Sequence, residues 1–413
     1  MMKKEMCKLL TTAGLMTMLF GGTALAAGWT YTTSGKQVYQ QDDGSIAKNT
    51  WIKAEDNGNT IWYYATNDGS LKTDGWQTIS GYKYYFDSEG VMQTGWVDDN
   101  KYYCGTSGAA VKGWRQLTIP DDLVSEYEND EDYTAGEAVW FYFNPSTAQR
   151  TAATSSQNVK VQNINGVKYG FDENGVMQVG WTKVTDTIPE LAGYMYFATA
   201  TDTNFKLGQQ LNNTWYTTVG PQEKDNSTEL ATGNVEYFYF QANGYPVTGT
   251  SSYNLVKAIG GKKYLFNAKG NPVYGMQIGA TTTGGNLYYY YCGTAKTECS
   301  VKTGRMTLNQ SGDKITFYAQ SNGQGYTGVR DGCLYYCGKL QKAETSARYM
   351  TCTVGGNTYV INSSGEIMKN KTRLTDKDGN KVSTNSDGTL KANIDGSLEA
   401  LTPEAPEVDE DIY

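Results

Sequence analysis

Residues Gly75 to Trp96 read GWQTISGYKYYFDSEGVMQTGW, and this stretch decides the fold. Side chains of a strand alternate between its faces. In Tyr82-Lys83-Tyr84-Tyr85-Phe86, then, Tyr82, Tyr84 and Phe86 share one side, while Lys83 and Tyr85 share the other. The following Asp87-Ser88-Glu89-Gly90 supplies a turn, because glycine adopts positive φ freely. A second short strand and a closing Gly-Trp complete the unit, with the glycine expected to allow tight backbone passage into the next. One unit thus reads as a β-hairpin.

The pattern recurs along the chain. Gly95 to Trp114 is GWVDDNKYYCGTSGAAVKGW, and upstream Trp51 to Trp76 is WIKAEDNGNTIWYYATNDGSLKTDGW. GVKYGFDENGVMQVGW ends at Trp181, and EYFYFQANGYPVTG, GGKKYLFNAKGNPVYG and NTYVINSSGEIMKN carry weaker copies. A lone hairpin is marginal in water, whereas stacked hairpins bury the Phe86-type face against each other. The expected fold is all-β, a solenoid of hairpin repeats of about 20 residues.

Composition narrows the function. The chain has 33 Tyr, 9 Trp and 47 Gly, and no histidine. Without histidine, Ser-His-Asp and Cys-His catalysis and imidazole metal sites are excluded. Basic Lys3, Lys4 and Lys8, the apolar run Leu9 to Phe20, and Ala24-Leu25-Ala26 read as an export signal cleaved after Ala26. Its removal takes three Lys and one Glu from the 35 basic and 43 acidic residues, leaving 32 and 42, a net charge of −10. That balance argues against nucleic acid. No later stretch reads as a membrane span and no wall-sorting tail is expected, so the protein is read as secreted and non-covalently associated with the cell surface.

The expected organisation is a signal over 1–26, Trp-rich repeats over 27–215, divergent Tyr-rich repeats over 216–370 and an acidic, weakly folded tail over 371–413. All nine Trp lie at or before Trp215. The acidic stretch from Pro120 to Glu137 reads as an exposed loop, with calcium binding the weaker alternative because ion-loop spacing is absent. Thr199 to Ser227, which carries Trp215, reads as irregular. Cys104, Cys292 and Cys337 are read at the Phe86 position of their units, and a disulfide between Cys292 and Cys299 is the preferred pairing, since the two flank one turn.

The GW…YYF…G-x-M-x-TGW pattern resembles the cell-wall-binding repeat family. That family includes choline-binding modules of surface proteins, glucan-binding repeats of glucosyltransferases and receptor-binding repeats of large clostridial toxins. The resemblance runs from Gly28 to Asn370 and is strongest between Trp51 and Trp181. It implies ligand sites between hairpins, caged by the Gly-Trp ring, an aromatic just ahead of the Tyr-Tyr pair and an aromatic of the next unit. Carried onto this chain, these are Trp51, Trp62 and Tyr64, followed by Trp76 and Tyr85, then Trp96 and Tyr103. Trp114, Trp140 and Trp181 complete the candidates.

Ring faces hold a quaternary amine at about 0.5–2 kcal/mol per contact. At the Trp62 position, however, later units carry Lys83, Lys101, Lys168 and Lys263, and one is read as carrying Met195. A lysine there repels a cation, so a quaternary amine suits one or two sites and a neutral or anionic glycan suits the rest. Strand alternation assigns Phe86, Tyr84, Phe171 and Phe266 to the core. The expected function is a non-catalytic secreted repeat protein, without cofactor or metal, that binds cell-wall polymer or polysaccharide. The alternatives are a surface adhesin or assembly factor that grips a protein partner, and a choline-binding protein.

Overall fold

The hairpin turns are set by pairs of residues at positive φ. Gly75–Ile79 pairs antiparallel with Tyr82–Phe86, Ile79 opposite Tyr82, so Ser80 and Gly81 alone form the connection, at φ of 51° and 83°. Two successive positive φ values match the right-handed twist of a tight hairpin. The same geometry recurs at Asn57-Gly58 and Asn165-Gly166.

This shifts the phase of the repeat. Asp87–Gly90 is not the hairpin turn; it leads out of the second strand. The short extended run after it bridges two hairpins, for Met92 N–H donates to the Trp62 carbonyl of the preceding one and Gln93 N–H to the Tyr85 carbonyl of its own, both at 2.8 Å. Nor does the glycine ahead of each Trp serve close passage. A Cβ on Gly75 would meet nothing within 4 Å, while its φ of 95° is costly for any other residue.

The structure, a computed structural model, describes residues 26–120, 122–123, 136–186, 191–221 and 234–409. The export-signal reading of 1–26 and the acidic-loop reading of 120–137 fall almost wholly outside these residues. The described residues hold β-strands, two 3-10 turns (Leu191–Gly193 and Lys296–Glu298) and no α-helix. None of their helices is long and apolar enough to cross a membrane.

The chain divides into two compact units, 1–151 and 152–413. The compositional division at residue 215 does not coincide with this boundary. In the first unit the hairpins follow one another as two-stranded sheets: Gly28–Tyr31 with Gln37–Gln40, Thr50–Asp56 with Asn59–Ala65, Gly75–Ile79 with Tyr82–Phe86, Gly95–Val97 with Tyr102–Cys104, and Gly113–Thr118 with Ala138–Phe143. The second unit begins the same way and then fuses hairpins into larger sheets. Asn254–Ile259, Lys262–Phe266, Met276–Ala280 and Tyr288–Tyr291 form one of four strands, and a five-stranded sheet runs from Gly304–Gln310 to Lys339–Leu340.

The core is the row of residues that end each second strand. Phe86, Phe143, Phe171, Phe197, Phe240 and Phe266 are all fully buried. Burial of each contributes about 1.5–3 kcal/mol. Cys104, opposite Gly95 as Phe86 is opposite Gly75, is one small replacement, and Cys292, whose N–H donates to the Gly275 carbonyl, is another. Cys337 is not; Tyr335 stands opposite Gly328 and is buried there, while Cys337 sits in the following turn at φ 49°.

Three further readings are corrected. Cys292 and Cys299 are both free thiols. Cys292 is packed among Val256, Leu265, Val273 and Tyr290 and serves the core rather than a bridge. Trp215 lies in a regular hairpin, Thr214–Val219 paired with Val235–Phe240, because its partner strand resumes beyond residue 227. The segment after Asn370 is no flexible tail over its described part. Leu374–Thr375, Lys381–Thr384 and Leu390–Asp395 form a sheet, and Leu374, Val382 and Leu398 bury themselves against Val360. A few well-spaced aliphatics of this segment suffice there, with Tyr349 of the preceding hairpin packed against them.

Candidate functional site: tryptophans between hairpins

Trp51 stands opposite Tyr64 across its own strand pair, and the ring centroids are 5.3 Å apart. The same ring reaches the next hairpin, 4.8 Å from Tyr84 and stacked 6.0 Å from Phe86. The arrangement repeats. Trp29 meets Tyr39 and then Tyr63, Trp76 meets Tyr85 and then Tyr102, and Trp96 meets Tyr103 and then Phe141. In the second unit Trp181 meets Tyr196 and then Phe238, and Trp215 meets Tyr239 and then Tyr264.

Each of these six rings therefore rivets its own hairpin to the following one. Several indoles also donate at fixed partners: Trp76 Nε1 to Asp98 at 3.0 Å, Trp96 Nε1 to the Thr118 carbonyl at 3.2 Å, and Trp181 Nε1 to the Val219 carbonyl at 2.8 Å. The cage built on Trp51 is closed by Tyr84, not by Trp76 and Tyr85; Trp76 packs on Tyr85 and on Tyr102.

Two hairpins add a second tryptophan. Trp62 stands two residues before Tyr64 and meets Trp51 at 6.4 Å and 90°. Trp140 meets Trp114 at 6.2 Å and 85°, with Tyr142 5.0 Å from Trp114. Trp62 is 37% exposed, so the Trp51–Trp62 pair forms an open right-angled corner. Tyr84 of the next hairpin and Met92, packed with Trp51 around Phe86, bound it.

Register assigns the corner position in the remaining hairpins. Thr78 is opposite Lys83, and Ala258 opposite Lys263, as Lys53 is opposite Trp62. The residue opposite Lys183 is Tyr194, not Met195, and that opposite Thr217 is Tyr237. The lysines do not merely line a cage. Lys83 Nζ donates to the Thr147 carbonyl at 3.3 Å and Lys263 Nζ to the Asn322 carbonyl at 2.8 Å, each tying itself to the hairpin two further along. Lys101 instead pairs with Asp99 at 3.4 Å. At Tyr237 the protein provides its own cation, for Lys296 Nζ lies 5.8 Å from the ring centroid.

Two features of the second unit were not read from the sequence. Val161, opposite Gly170, replaces the usual Trp–Tyr pair, and Phe197 of the next hairpin takes the space beside Gly170, where a Cβ would meet it at 2.5 Å. A cavity of about 440 Å³ opens there between Val161, Met195 and Tyr245, with Asn158 and Asp186, joined at 2.9 Å, on its polar side. The missing Gly-Trp ahead of Gln162 is the signal that could have found it. The second feature is Asp202. Burial raises its pKa, but hydrogen bonds from Tyr216 Oη, Thr199 N (2.6 Å) and Tyr196 Oη outweigh that and hold the carboxyl below the usual range. Burial and the Asp202 bond together push the Tyr216 hydroxyl well above its ordinary value.

The cysteines are chemically quiet. Burial pushes the Cys104 and Cys352 thiols up to about 11, away from reactive thiolate. Among the described residues no cluster of three Cys, Asp or Glu is placed to hold a metal.

Comparison with known proteins follows the same geometry. Residues 73–114, from Thr73 to Trp114, match the family described as choline-binding repeat. This segment holds Trp76, Trp96 and Trp114 together with Lys83 and Lys101, and it contains neither Trp62 nor Trp140. Among curated proteins, glucosyltransferase-S of Streptococcus mutans is 26% identical over 257 residues, 59% of this chain and 14% of the relative. Glucosyltransferase-I of Streptococcus downei is 26% identical over 342 residues, 78% of this chain and 19% of the relative. The chain thus spans less than a fifth of these relatives. Among solved structures, the choline-binding domain of CbpL from Streptococcus pneumoniae is 19% identical, with a TM-score of 0.34 over 60% of this chain and 97% of that one.

Proposed function

We propose that this is an exported, non-catalytic binding protein that holds a cell-wall polymer or glycan through exposed aromatic corners between hairpins. The observation that carries the reading is the Trp51–Trp62 corner. It offers two indole faces at 90°, one of them 37% exposed, and the next hairpin closes it with Tyr84. Perpendicular ring faces suit either a quaternary ammonium or the C–H face of a sugar. Lys296 over Tyr237 supports the cationic option, since the corresponding ring of a later hairpin attracts a cation of the chain itself.

Where lysine takes the corner position the site changes character. Lys83 and Lys263 repel a cation and leave their hairpins to neutral or anionic sugars. The choline-binding repeat match and the glucosyltransferase relatives support a wall- or glycan-binding role, although the match falls on the hairpins that carry Lys83 and Lys101 and not on the Trp51–Trp62 corner. Several weak sites on one chain reach useful avidity even when each is shallow. The test is retention of the full chain on an immobilised quaternary amine and on insoluble glucan, each competed with soluble ligand. Retention on the amine that Trp62→Ala abolishes and Lys83→Ala preserves supports the reading, and loss of neither kind of retention in Trp51→Ala with Trp62→Ala refutes it.

A further inference from the structure

The last described residues run back along the sheets of the second unit, and glutamine side chains hold them. Ala400–Leu401 pairs parallel with Tyr349–Val354. Beyond it, Gln341 Nε2 donates to the Glu404 carbonyl and accepts the Glu404 N–H at Oε1, both at 2.9 Å. Gln310 repeats this with Glu407, at 2.6 Å and 3.2 Å. Gln277 Nε2 donates to the Asp409 carbonyl at 2.9 Å, and Asp409 N–H donates to the Met276 carbonyl.

These three glutamines are 3–9% exposed, and burying an amide in this way costs free energy unless its bonds are made. The amides of Gln341 and Gln310 copy the two-way pairing of a neighbouring strand, while Gln277 only donates to the segment, its Oε1 accepting from Asn254 Nδ2. Asp409 Oδ2 accepts the Met276 N–H at 2.6 Å in a space kept open by Gly275, where a Cβ would stand 2.3 Å from that oxygen. The spacing fits as well. Gln341 and Gln310 engage positions three residues apart, and three residues of extended chain cover about 9–10 Å, close to two strand spacings, and the strands that end at Gln310 and Leu340 lie two positions apart in the five-stranded sheet. Pro403 and Pro406 favour that extended form.

The segment itself buries little. Between 402 and 409 only Pro406 is buried, and Val408 is 38% exposed. Its attachment rests on main-chain pairing with Gln310 and Gln341, the Lys339–Glu404 ion pair at 2.9 Å and the Asp409 carboxylate. Segments held by few apolar contacts open well below the free energy of global unfolding.

We propose that the row Gln277–Gln310–Gln341 is a peptide-recognition groove for an extended acidic chain. It is filled in cis by residues 399–409 and able to take the same segment from a second copy of this chain. Recognition is by strand addition, with side-chain amides in place of a strand edge. The groove is far from the aromatic corner in sequence and independent of what that corner binds.

Glu404→Pro with Glu407→Pro in the full chain removes the two N–H donors, keeps an extended backbone and leaves every groove residue in place. A fluorescent peptide of residues 399–413 then binds this variant in trans, and the peptide carrying the same two prolines binds about tenfold more weakly or worse. Gln310→Leu with Gln341→Leu in the freed variant weakens the wild-type peptide similarly. Failure of the peptide to bind a freed variant whose near-ultraviolet spectrum is native overturns the proposal, as does binding that ignores the glutamines. Hydrogen exchange on the unmodified chain gives an independent check. The Glu404 and Glu407 amides exchange faster than those of Met306 and Leu308, whereas exchange only on global unfolding marks a fixed part of the fold and also overturns it.

Discussion

Removing Trp51 and removing Trp62 produce opposite signatures, although both are tryptophans of one corner. Trp51 contacts Tyr64, Tyr84 and Phe86, bridging two hairpins. Truncating a buried Trp costs about 3–5 kcal/mol, and each aromatic pair adds about 0.5–1.5 kcal/mol beyond area. Trp51 is half-buried, so Trp51→Ala should cost the first unit about 2–4 kcal/mol. Trp62 is 37% exposed and packs edge to face on Trp51, so Trp62→Ala should cost about 1 kcal/mol. Urea unfolding followed by far-ultraviolet circular dichroism gives both numbers, and retention on ligand resin gives the functional side. Trp62→Ala should lose binding while staying folded. Equal stability losses for the two variants, or full binding by Trp62→Ala, refute the division between rivet and ligand face.

Other perturbations read other parts of the account. Phe86→Ala, at a position with no exposure, should destabilise by about 3–5 kcal/mol in the same unfolding assay, while Tyr82→Ala, at 61% exposure, stays within about 0.5 kcal/mol. Asp202→Asn should cost about 1–2 kcal/mol through weakened bonds from Tyr216, Tyr196 and Thr199, read by thermal melts of the full chain. Because the folded Asp202 pKa is depressed, its contribution is present above the unfolded value near 4 and is lost as pH falls through the folded one. The raised Tyr216 pKa acts oppositely, stabilising below about pH 10 and fading as pH rises further, so Asp202→Asn should flatten the stability profile at both ends. Mass labelling of thiols after denaturation without reductant should find Cys292 and Cys299 both reactive, and protection of the pair would reverse the free-thiol assignment.

The sequence displayed hairpins, their number of residues and the inward Phe row, because period two and recurring aromatics are local signals. It misplaced the turn, since Asp87-Ser88-Glu89-Gly90 is as good a turn as Ser80-Gly81, and only the Ile79–Tyr82 pairing decides between them. The candidate site was half legible. Trp51, Trp62 and Tyr64 do come together, but alternation tells which face a ring takes and not which hairpin covers it, so Tyr84 was assigned to core and Trp76 to the cage. One residue of drift exchanged Tyr194 for Met195. The lysine tethers depend on carbonyls two hairpins on, such as Thr147 for Lys83, and no local pattern announces them. The folded end of the chain was missed for the same reason: Gln341 finds its partner 63 residues away at Glu404.

The central claim, that the open Trp51–Trp62 corner takes ligand and the riveting tryptophans without a second indole beside them do not, is tested most directly by the indole N–H signals of the nine tryptophans in a nitrogen-15 spectrum. Choline and a soluble glucan would be titrated separately into the full chain. The account predicts that Trp51 and Trp62 shift with at least one of them, while Trp76, Trp96 and Trp181, whose Nε1 donors are engaged within the protein, stay in place. Shifts confined to Trp76, Trp96 and Trp181, or no response at Trp62 to either ligand, would contradict it.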